Sequence, residues 1–72
     1  MKGAKSMKPK ELTDHELHTL FSSVTKYGTY RPVGLFYYRD NNIVVGVDNS
    51  TGEAWTEEFS SVKKCLAWLN QK

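Results

Sequence analysis

The spacing of apolar residues changes character several times along the chain. Leu17, Leu20, Phe21 and Val24 recur at i, i+3, i+4 and i+7, one stripe of an amphipathic helix. Thr13 and Glu16 stand as a capping box ahead of that stripe, each side chain placed to satisfy a backbone N–H at the helix start. Leu12 and Leu17 have the spacing of a hydrophobic staple, and Gly28 offers the left-handed stop. From Tyr30 to Arg39 the chain is rich in aromatic and β-branched residues and reads as a strand, with Pro32 arguing for an edge position at its beginning. Asp40-Asn41-Asn42 is turn chemistry, and Ile43 to Val47 is a second strand.

Turns at Asp40-Asn41 or Asn41-Asn42 group the side chains alike. Gly34, Phe36 and Tyr38 share a face with Ile43, Val45 and Val47. Val33, Leu35, Tyr37, Arg39, Val44, Gly46 and Asp48 share the other. After a loop ending at Gly52, Glu53 to Phe59 forms a third strand. Trp55 and Phe59 have one parity and are expected in the core, with Glu57 at a strand end or bend. Ser60 or Ser61 caps a last helix whose stripe is Val62, Cys65, Leu66 and Leu69, with Trp68 on its flank.

These elements predict an α+β fold of order α-β-β-β-α: a three-stranded antiparallel meander with both helices on one face. Residues 11–72 form the single domain, and residues 1–10 are expected to be a flexible basic tail. The helix-free face then carries Leu35, Tyr37, Arg39 and Val44. An apolar centre with an aromatic ring and a guanidinium has the composition of a binding hot spot, so these four residues are the candidate site.

Charge sharpens the division. The formal charge of the 72 residues is +2, but Lys2, Lys5, Lys8 and Lys10 all precede the domain. Eight acids face six basic residues from Glu11 onward, a net charge of −2. An acidic body disfavours nucleic acid, whose affinity for proteins comes largely from cations that neutralise phosphates. Cys65 is the only cysteine, which fits a reducing compartment and excludes an intrachain disulfide. The N-terminal lysines have no apolar run behind them, and no segment approaches the ~18 apolar residues of a membrane span. The expectation is a cytoplasmic chain that does not enter the membrane.

Candidate chemistry is sparse. His15 and His18 are three apart on the first helix and have Glu11 and Asp14 near them. Two histidines without a third histidine or a thiol do not make a zinc site, so no metal is expected. Cys65 lies on an apolar stripe, where burial suppresses thiol reactivity. Glu57 and Glu58 point to opposite faces of a strand, and Glu53 and Glu57 are separated by about 13 Å of strand rise. Such carboxylates fit a solvated, aggregation-resistant edge better than paired acid–base catalysis. With no glycine-rich phosphate loop and no nucleophile–base pair, neither an enzyme nor a cofactor is expected.

Two resemblances bear on function. The order α-β-β-β-α resembles that of double-stranded-RNA-binding domains, and Lys63-Lys64 at the start of the last helix is similar to the lysine cluster those domains aim at phosphates. Ile43 to Leu69, with Val-Asp-Asn-Ser-Thr-Gly-Glu-Ala-Trp-Thr-Glu-Glu-Phe and the closing Ala67-Trp68-Leu69, resembles small uncharacterised proteins of phages and prophages. That resemblance implies a chain that binds and modulates a macromolecule. The leading expectation is a non-catalytic regulator or inhibitor acting by protein–protein contact. The rivals are a nucleic-acid binder using the lysine-rich tail with Lys63 and Lys64, and a homodimer joined through the open sheet face or an edge strand.

Overall fold

A computed structural model describes residues 8–71. The order is β1 (Lys10–Glu11), α1 (Asp14–Tyr27), β2 (Gly34–Asp40), β3 (Ile43–Asn49), β4 (Trp55–Phe59) and α2 (Val62–Leu69). Helix α1 begins and ends as its sequence dictates. The Glu16 amide donates to Thr13 Oγ1 at 3.1 Å, and the Thr13 amide donates to Glu16 Oε1 at 2.9 Å. Gly28 closes the helix at φ 79°, donating its N–H to Val24 O at 2.9 Å. A side chain would be strained in that left-handed conformation.

The strands form one sheet of order β1-β2-β3-β4. The β2–β3 hairpin turns at Asn41-Asn42, pairing Asp40 with Ile43 and Phe36 with Val47. Asn41 takes φ 57°, which asparagine tolerates well. The two face groups therefore stand as the hairpin parity requires. The expected antiparallel meander stands as β2-β3-β4, but the sheet is mixed and four-stranded, because Lys10 and Glu11 pair in parallel with Phe36 and Tyr37. Two residues are too few to show an alternating pattern. The expected tail boundary at residue 10 falls inside β1, and residues 1–7 of that tail lie outside the described residues.

The helices do not share a face. Leu20 of α1 packs with Phe36 and Val47, joined by Phe21, Tyr30 and Tyr38. Cys65 and Leu69 of α2 pack with Leu35 and Val44 on the opposite face, joined by Tyr37, Phe59 and Trp68. Two helices on one face would have left that second apolar surface in water. Placing α2 there buries it, at a gain of roughly 25 cal/mol per Å² of apolar area. Gly46 makes room for α2: a Cβ built there would lie 3.0 Å from Cys65 Sγ and 3.0 Å from the Trp68 ring.

Strand β4 also departs from expectation. It starts at Trp55, and Trp55 is 64% exposed although it shares parity with half-buried Phe59. Phe59 meets Trp68 with ring centroids 5.5 Å apart, whereas Trp55 lies at the far end of the strand and donates its indole N–H to Glu53 Oε1 at 2.9 Å. Glu57 sits mid-strand and exposed, as an edge strand allows.

One buried side chain ties the loops to the sheet. Asn49, the last residue of β3, is fully buried. Its amide nitrogen donates to Tyr30 O at 3.1 Å and Pro32 O at 2.7 Å, and its oxygen accepts the Ala54 N–H at 3.1 Å. Ala54 holds φ 54°, a left-handed conformation that costs an L-residue on the order of 1–2 kcal/mol. Tyr30 N–H donates to Gly52 O at 3.0 Å, and Arg31 N–H donates to the buried Ser23 Oγ at 2.8 Å. The loop between α1 and β2 is thus bonded to both α1 and the β3–β4 loop.

Two outcomes follow from this packing. Gly46→Val should destabilise the protein by about 1–3 kcal/mol in urea unfolding, because the added methyl groups enter the seat of α2. An unchanged midpoint would mean that α2 does not cover this face. The second outcome concerns pH. A hydrogen bond from Lys10 Nζ, then one from the Thr13 backbone, lowers the Glu16 carboxyl from its ordinary 4.5 to about 2. A carboxylate whose pKa is depressed by folding stabilises above its unfolded value and loses that contribution as pH falls through the folded one. The stability gap between wild type and Glu16→Gln should therefore be full above about pH 4.5 and close toward about pH 2. A gap that does not change with pH would contradict a Glu16 carboxylate held ionised by Lys10 and the Thr13 amide.

Candidate binding groove

The four residues singled out from the sequence do not form an open surface. Leu35 and Val44 are 4% and 6% exposed beneath α2, and Tyr37 is half-buried in the same cluster. They belong to the core because α2 takes the face expected to be free. Arg39 remains exposed, but its Nε donates to Glu11 Oε2 at 3.0 Å and so holds β1 against β2.

The other candidates separate in space. His15 and His18 are exposed on α1, and the described residues hold no group of three or more His, Cys, Asp or Glu side chains arranged to bind a metal ion. Cys65 is fully buried, and burial pushes its thiol pKa up. Tyr38, half-buried against α1, has its phenol raised by burial and then by the charges of Asp40 and Glu58. Glu57 and Glu58 occupy opposite faces of β4, paired with Gly46 and Val45. Lys63 and Lys64 are exposed in the first turn of α2. Among the described residues no helix is long and apolar enough to cross a membrane.

A different surface brings recognition chemistry together. The end of α1, the loop into β2 and the β3–β4 loop enclose an open groove of about 580 Å³. Tyr27, Pro32 and Val33 supply apolar surface, and Tyr27 and Val33 are 46% and 56% exposed. The Arg31 guanidinium carbon lies 4.0 Å from the Tyr27 ring centroid, and Lys26 Nζ lies 5.4 Å from it. The Arg31 guanidinium thus sits over the Tyr27 ring, and its N–H groups are of the kind that binds anionic groups. Among the described residues no carboxylate lines the groove.

The floor is rigid for reasons already given. Ser23 accepts the Arg31 amide, Asn49 holds the Tyr30 and Pro32 carbonyls, and Gly52 accepts the Tyr30 amide. Phe21 packs edge-on against Tyr30 at 5.5 Å, anchoring the loop to α1. Tyr30 and Arg31 are residue types enriched at binding surfaces. The exposure of Tyr27 and Val33 is not legible in the sequence, because it depends on where the loop is tied. No protein-family model, curated protein or solved structure matches this chain.

Proposed function

We propose that this chain is a small non-catalytic binding protein, a regulator or inhibitor that engages another protein through the Tyr27–Arg31–Val33 groove. The observation that carries the reading is the stacked Tyr27–Arg31 pair at the rim of an apolar groove without carboxylates. The occupant it fits is a protein segment with an apolar side chain next to a carboxylate. The apolar group fills the space between Tyr27 and Val33, and the carboxylate takes the Arg31 N–H groups. Tyr and Arg in such surroundings are the residues that dominate binding energy. The fixed floor lowers the ordering cost of association. The resemblance of Ile43 to Leu69 to small uncharacterised phage and prophage proteins fits the same reading, because short proteins in that context commonly act by binding a macromolecule.

The rival is binding to duplex nucleic acid through the lysine-rich N-terminal tail together with Lys63 and Lys64 at the head of α2. The test is affinity capture from cells that carry this protein, repeated with two double variants. Tyr27→Ala with Arg31→Ala should cost about 2 kcal/mol or more of partner binding and leave the melting temperature nearly unchanged, since both side chains are exposed. Lys63→Ala with Lys64→Ala should leave capture intact. Capture indifferent to the groove variant overturns the proposal. Recovery of nucleic acid that is lost with the lysine variant, and released steeply by salt, establishes the rival.

A further inference from the structure

We propose that the free edge of β4 is a second docking surface, taking an extended peptide strand that bears lysine or arginine. This rests on a different observation from the groove and stands without it. Strand β4 ends the sheet: it pairs with β3 and, among the described residues, with nothing on its other side. An antiparallel edge strand turns the N–H and C=O groups of alternate residues outward, a template for one more strand. Trp55, Thr56, Glu57 and Glu58 are all exposed along it.

Three carboxylates and one indole say what can lie there. Trp55 and Glu57 project on the α2 side of the edge, and Glu58 projects on the other. Glu53 precedes the strand and holds the Trp55 indole N–H. Acids alone would only guard the edge. The 64%-exposed indole beside the free backbone adds an apolar and cation-accepting surface that a guard does not need. A second copy of this chain would bring the same acids to both sides of the ladder, whereas a basic strand brings their counter-charge. Centring a symmetric antiparallel pair on Glu57 sets two Glu57 side chains opposite each other, and centring it on Trp55 sets Glu53 against Glu57. Directly opposed like charges destabilise a ladder. A basic strand meets the same acids favourably: its main chain supplies the ladder bonds, and its cations reach Glu57, Glu58 and the Trp55 face.

The probe is a fluorescein-labelled heptapeptide alternating lysine with threonine and valine. Its companions are a version with glutamate for lysine and one N-methylated on alternate amides. Binding is read by anisotropy at low salt and by backbone amide shifts of this protein. The lysine peptide should bind and shift the amides of Thr56 to Glu58. N-methylation or the glutamate exchange should weaken binding at least tenfold, as should Glu57→Lys with Glu58→Lys in the protein. Tyr27→Ala with Arg31→Ala should leave it unchanged, which separates this site from the groove. Several results overturn the proposal: no binding of the lysine peptide, equal binding of the N-methylated peptide, amide shifts confined to other elements, or a dimer in sedimentation that uses the β4 edge.

Discussion

An asparagine amide removed from water must satisfy two donors and an acceptor or destabilise the fold, and Asn49 satisfies both ends within the protein. Its nitrogen holds the carbonyls of Tyr30 and Pro32, and its oxygen holds the amide of Ala54. One side chain therefore joins the end of β3 to the loop entering β2 and to the residue that leads into β4. The left-handed Ala54 persists because this bond and the neighbouring Tyr30–Gly52 bond over-determine it. The groove is the space between the two loops so fixed. The recognition proposed for Tyr27, Arg31 and Val33 thus depends on a residue that no ligand in the groove would need to touch.

Local chemistry made much of the fold legible. Thr13, Glu16 and Gly28 set the limits of α1, and the alternation around Asn41-Asn42 assigns Gly34 to Arg39 and Ile43 to Asp48 to their faces, leaving Asn49, the last residue of β3, unassigned. Matching the amphipathic stripes of two helices to the more apolar face alone misplaces α2. A contrary signal was present. Ile43-Val44-Val45-Gly46-Val47 is continuously apolar where a half-exposed strand would alternate, and that is the mark of a strand covered on both sides. Gly46 within that run marks the close approach of Trp68 and Cys65. Trp55 was misplaced for a related reason. Parity assigns a face, but it does not tell how far along an edge strand the covering helix extends.

The groove could not be read in advance, since long-range bonds bring its walls together. Ser23 and Arg31 are linked through a side chain on α1, and Asn49 reaches Pro32 across the chain. The charge pattern divides accordingly. Arg31 lines an apolar groove and Lys26 lies over its Tyr27, whereas Glu53, Glu57 and Glu58 follow the free edge of β4. A body with a net charge of −2 from residue 11 onward therefore offers two surfaces of opposite character.

The central claim is that Asn49 and its neighbours hold the groove preformed in the free protein. Native-state amide hydrogen exchange measures this directly, because protection reports the opening of individual hydrogen bonds. The amides of Tyr30, Arg31 and Ala54, all in loops, should exchange with protection close to that of the central strands β2 and β3. Exchange at the rate of an unprotected loop, with β2 and β3 still protected, would contradict a preformed groove.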